Sequence, residues 1–97
     1  MKKGFWVVAY RSISDPAAVQ AYAKAAKPVI ERLGGTVRGF SGDEIVVHEA
    51  GVRMLTVIVE FDSFEQAKAC YVHPDYLATV DILGKGAERD FRIFEGL

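Results

Sequence analysis

Residues 4–11 are apolar on both sides of a two-residue repeat, with Phe5, Val7 and Ala9 on one face and Trp6, Val8 and Tyr10 on the other. That pattern predicts a strand covered on both faces. Ser14-Asp15-Pro16 then supplies a capping side chain and a proline suited to a first helical turn. Val19, Tyr22, Ala23, Ala26, Ile30 and Leu33 follow at helical spacing, and Gly34-Gly35 closes the segment. Pro28 lies inside this stripe and predicts a kink, because it removes one backbone donor. Residues 36–40 and 44–49 read as two short extended stretches around a turn at Ser41-Gly42-Asp43.

The stretch Arg53–Phe61 predicts a second two-faced strand, with Leu55, Val57, Val59 and Phe61 opposite Met54, Thr56 and Ile58. Ser63 and Gln66 fit a capping box, in which hydroxyl and amide each satisfy a free backbone donor. The helix it opens turns Phe64, Ala67, Cys70 and Tyr71 inward and is broken by Pro74. A further helical segment runs from Asp75 to about Gly84, and residues 89–95 form a last strand. There Phe91 and Ile93 face one way and Phe94 the other. The order β-α-β-β-α-β is the split βαβ arrangement, an α+β ferredoxin-like fold with an antiparallel sheet in one domain over residues 1–97. In that arrangement the first and third strands are central, which agrees with their two apolar faces.

Right-handed crossovers put both helices on one side of the sheet. Trp6, Val8, Tyr10, Met54, Ile58 and Phe94 are then expected on the uncovered side, where a second copy of the chain is the simplest cover. Trp6, Val8, Met54 and Ile58 are the interface residues of the homodimer so expected.

The composition narrows the function classes. A formal net charge of −1 with no basic stripe argues against a nucleic-acid partner. The apolar run near the N-terminus ends at Arg11, too short for a signal peptide or a membrane span, so a soluble cytoplasmic protein without membrane partner is expected. A single cysteine, Cys70, allows neither an internal disulfide nor a thiolate cluster. His48 and His73 stand far apart without a carboxylate pattern, and no phosphate loop follows a strand. No metal, flavin, haem or other cofactor is therefore expected.

Glu60 is a lone acid on the third strand. It is either a ligand-facing catalytic acid or the partner of an arginine such as Arg11, Arg38 or Arg53. His73 is a candidate general acid or base near a cleft, or a capping residue at the helix junction before Pro74. Tyr22 and Tyr76 each carry a hydroxyl at the end of a helix-borne ring, either packed in the core or lining a ligand-binding pocket between helices and sheet. Cys70 reads as a buried thiol and His48 as an exposed strand end.

The segments Gly4–Val8, Val59–Ala67, Pro74-Asp75-Tyr76 and Phe91–Gly96, together with Asp15, Tyr22, Pro28 and Gly34-Gly35, resemble the bacterial family called domain of unknown function 1330. The resemblance covers nearly the whole chain. It implies a dimeric α+β barrel, in which two ferredoxin-like sheets face each other, and it implies no activity. Similar folds include cofactor-free monooxygenases and lactone isomerases. Two positions depart from the family pattern: His73 replaces a small polar residue, and Leu83 stands where relatives carry arginine, leaving Lys85 as the nearest cation. The function expected is binding of a small, partly apolar molecule between sheet and helices. A cofactor-free enzyme of proton transfer or oxidation is one form of it; a non-catalytic sensing or interaction module on the same dimer is the other.

Overall fold

The computed structural model describes all 97 residues. Strands β1 (Gly4–Ile13), β2 (Thr36–Ser41), β3 (Thr56–Phe61) and β4 (Ala87–Glu95) form one antiparallel sheet in the order β2-β3-β1-β4. Helix α1 (Pro16–Arg32) joins β1 to β2, while α2 (Phe64–Val72) and α3 (Pro74–Leu83) join β3 to β4. The expected ferredoxin-like architecture is thus present, with its second helix divided at Pro74.

Local signals explain the element ends. The Asp15 carboxylate accepts a hydrogen bond from the Ala18 amide at the start of α1. Gly34 then adopts φ +98°, open to glycine but strained for other residues, and turns the chain into β2. At α2 the capping box is half formed: the Ser63 hydroxyl accepts from the Gln66 amide. The Gln66 side chain donates instead to the Leu33 carbonyl at the end of α1, tying the two helices' ends together. Helix α1 runs through Pro28 without interruption.

Three expectations are corrected. Residues 44–49 form no strand, and β3 begins at Thr56 rather than Arg53. The segment leaves the sheet instead of pairing with the outer edge of β2, which stays open. Arg53 serves this connection, donating to the carbonyls of Asp43 and Ile45.

The third correction concerns the sheet faces. Trp6, Val8 and Tyr10 lie beneath the helices and are almost wholly buried with Val59 and Phe61. The Trp6 indole donates to the Ala67 carbonyl of α2 at 2.8 Å, a bond available only on the helix side. Its ring packs against Phe61, Tyr71, Tyr76 and Phe91 at centroid separations of 4.9–6.2 Å. Trp6 and Val8 are therefore core residues and leave the expected interface. Met54 precedes β3 and packs against the core rather than standing on a strand face. The uncovered face carries Phe5, Val7 and Ala9, opposite Ile58, Thr56 and Phe94 in the strand registers. Phe5 and Phe94 stack there at 5.6 Å, and Ile58 and Phe94 stay 38% and 46% exposed.

Truncating Trp6 removes the central ring of the core and the indole hydrogen bond to the Ala67 carbonyl. Trp6→Ala is expected to cost about 3–5 kcal/mol in urea unfolding. Trp6→Phe, which keeps much of the packing, is expected to cost about 1–3 kcal/mol.

Candidate functional site

Helix α1 does not close down on the half of the sheet it covers. Between them lies a cavity of about 420 Å³ lined by 14 residues, 11 of them hydrophobic. Tyr22, Ala23, Ala26 and Ile30 form the helix wall, and Trp6, Val8, Tyr10, Val57 and Val59 the floor. Small residues at 23 and 26 make the room: a larger side chain at either position would fill it. Strand β2 completes the wall through a break in register between Val37 and Gly39, pairing Val37 with Val59 and Phe40 with Val57. The break lets two residues three apart face the same side. Both line the cavity.

One end of the cavity is polar. Arg89, paired with Tyr10 across β1 and β4, donates from Nη1 to the Tyr22 hydroxyl at 3.0 Å. The Tyr22 and Tyr76 hydroxyls are 2.7 Å apart. The guanidinium also lies over three rings, 4.8 Å from the Tyr22 centroid, 5.1 Å from Phe91 and 5.7 Å from Tyr10. Burial alone would lower the Arg89 pKa, but the surrounding tyrosine oxygens outweigh it and the net shift is upward. Arg89 is charged throughout the accessible pH range, yet none of the protein's ion pairs includes it. The other charged residues lining the cavity, Lys24 and Lys27, are also cations, and no acid reaches it.

The sequence candidates are only partly brought together. Tyr22 lines the cavity, and Tyr76 stands behind it with no exposure, its hydroxyl on that of Tyr22. Glu60 points from the opposite face of the sheet, opposite Phe5, and pairs with Arg38 at 3.4 Å. It is the arginine-paired residue and does not meet the cavity, so it is withdrawn as a catalytic candidate. His73 caps α3, its Nδ1 accepting from the Asp75 amide at 3.1 Å, and lines no part of the cavity. It too is withdrawn, the cap being the local role that a residue before Pro74 is placed to fill. Leu83 is a buried core residue. The cation of the site comes from Arg89, which the sequence reading passed over. Its signal was present: Arg89 precedes Phe91 and Ile93 at strand spacing and so shares their inward face.

Cys70 is buried, and its thiol is pushed up to about 11 by that burial. No three His, Cys, Asp or Glu side chains converge as a metal site requires. No helix is long and apolar enough to cross a membrane.

The model of the family described as Domain of unknown function (DUF1330) matches residues 3–97. The chain belongs to that family. No curated protein matches this DUF1330 chain. Among solved structures it is similar to a protein of unknown function from Rhodopseudomonas palustris, at 19% identity and TM-score 0.72 over 99% of this chain and 83% of that one. It is also similar to a dimeric protein of unknown function with a ferredoxin-like fold from Bacteroides fragilis, at 17% identity and TM-score 0.59 over 97% and 94% of the two chains. A third is a Caulobacter crescentus protein with a proposed role as an antibiotic biosynthesis monooxygenase, at 14% identity and TM-score 0.63 over 99% and 92%. At these identities the DUF1330 chain shares their fold.

Burial raises the pKa of Tyr76, and that of Tyr10 despite the opposing effect of Arg89. The folded chain therefore keeps phenol protons, and the Cys70 proton, that the unfolded chain has lost. Stability is expected to hold below about pH 9 and to fall as pH rises through about 10 and beyond. Urea midpoints measured from pH 7 to 11 check this, and Tyr76→Phe should flatten the alkaline fall.

Proposed function

We propose that this DUF1330 protein binds a small, partly apolar molecule carrying an anionic oxygen, with the apolar body between α1 and the sheet and the anion at Arg89. The observation that carries the reading is a partly buried guanidinium at one end of an apolar cavity with no carboxylate of its own. Desolvating a cation costs free energy that an internal acid usually offsets. Here a ligand's oxygen takes that place, and Lys24 and Lys27 add attraction of the same sign. The cavity's volume suits a molecule of one or two rings. Cofactor-free proton transfer or oxidation is the enzymatic form of this reading, supported at the level of fold by the Caulobacter crescentus neighbour. Ligand sensing without turnover uses the same pocket, and conversion of a bound compound separates the two.

The working unit is proposed to be a homodimer joined through Phe5, Val7, Ala9, Ile58 and Phe94. This uncovered apolar patch, and the dimeric description of the Bacteroides fragilis neighbour, support it. Glu60–Arg38 and Asp90–Arg92 lie on the same face.

The binding test uses 8-anilinonaphthalene-1-sulfonate, an apolar anion, with amide shifts followed by NMR. Shifts are expected at Tyr22, Ala26 and Val57, and Arg89→Met should weaken binding about tenfold or more. Unchanged affinity in that variant, or shifts confined to other surfaces, refutes the site. For the dimer, light scattering at micromolar concentration should give about twice the 10.7 kDa chain mass. Ile58→Lys should shift the protein toward monomer, since it places an unpaired charge in the joint.

A further inference from the structure

Tyr10, Tyr22 and Tyr76 stand around Arg89. Two of these phenols are satisfied within the protein: the Tyr22 hydroxyl accepts from Arg89 and shares a second hydrogen bond with Tyr76. The third is not. Tyr10 pairs with Arg89 across β1 and β4, and the guanidinium lies 5.7 Å from its ring centroid. The residue is only 3% exposed, yet its hydroxyl makes no hydrogen bond. A phenol buried so far ordinarily finds a partner, because a dry O–H and dry lone pairs are costly. No side-chain polar atom of the protein is both sealed in and unpartnered, so the Tyr10 oxygen opens onto accessible space. That space is the cavity, which Tyr10 lines. A smaller hollow also borders Tyr10, but it is formed with Ala9 and Asp90 on the open face, the side opposite its ring. Burial raises the Tyr10 pKa despite Arg89, so the hydroxyl keeps its proton at neutral pH.

The polar end of the cavity therefore holds a cation without a carboxylate beside a hydroxyl with its donor and its acceptor both unused. A bare carboxylate answers the cation and the phenol proton, but leaves the lone pairs of Tyr10 dry. We infer that Tyr10 is the residue that sets the ligand's head group, and that this head group is a 2-hydroxycarboxylate. The inference rests on the pocket reading above and deepens it by naming the ligand class. Arg89 and the Tyr10 O–H donate to the carboxylate, while the hydroxyl on the neighbouring carbon donates to the Tyr10 oxygen. A site built to pair a ligand's hydroxyl binds the analogue lacking it less well, since its own polar group is then left without a partner.

Calorimetry with three probes of one shape tests this: 3-phenyllactate, 3-phenylpropanoate and 2-methoxy-3-phenylpropanoate. Each enantiomer of the chiral probes is measured and the tighter one compared. The lactate is expected to bind the wild-type protein about tenfold tighter than the propanoate. The methoxy compound, which has the oxygen but no proton to give, should bind no tighter than the propanoate. In Tyr10→Phe the ratio of lactate to propanoate affinity should fall to about one. A merely structural Tyr10 would weaken both together and keep the ratio, and that result overturns its assignment. Equal affinity of lactate and propanoate for the wild-type protein, or a methoxy compound as tight as the lactate, overturns the head group while leaving the pocket intact. Binding by none of the three overturns the pocket reading itself. The wild-type comparison stands without the variant, so a variant that fails to fold leaves the head group decided.

Discussion

The hydrogen bond from the Trp6 indole to the Ala67 carbonyl decides which side of the sheet is inside. Successive residues of a strand face opposite ways, so fixing one side chain of β1 fixes them all. With Trp6 under α2, Val8 and Tyr10 must also face the helices, and the registers carry that choice to Val57, Val59, Arg89, Phe91 and Ile93. The floor of the cavity and the position of its cation both follow from that single choice. So does the identity of the residues left on the open side, where Phe5 and Phe94 stack.

The alternation along β1 and β3 was readable as a pattern, and each strand's two sets of residues were separated correctly. What alternation cannot say is which set is inward when both are apolar. Phe5, Val7 and Ala9 compete with Trp6, Val8 and Tyr10 on nearly equal hydrophobic terms, and the tie is broken by a partner 61 residues away. The same limit explains Glu60 and His73. Each was a chemically apt residue type, but the position of Glu60 depends on the resolved tie and His73 is consumed by a local cap. Tyr22 and Tyr76 were legible as inward-facing residues because helical spacing places both inward, but only Tyr22 reaches the cavity. Arg89 was not, because a charged residue at a strand's start ordinarily faces water.

The site that results is asymmetric in charge. Eleven of the fourteen lining residues supply an apolar body, the other three are cationic, and none is acidic. The aromatic rings around Arg89 hold it in place without neutralising it, because a ring face attracts a cation yet accepts no proton from it. A carboxylate in place of any of these rings would have satisfied the guanidinium and closed the site to an anionic ligand.

Strand β2 has one further property. Its break in register sends Val37 and Phe40 to the cavity and leaves Arg38, between them, to reach Glu60 on the far side. The strand is a partition one peptide thick, at the sheet's edge and with no neighbour beyond it. Arg38, paired with Glu60 on one side, shares its few peptide units with Val37 and Phe40 on the other. The open face and the wall that shapes the pocket are thus built on the two sides of a single backbone.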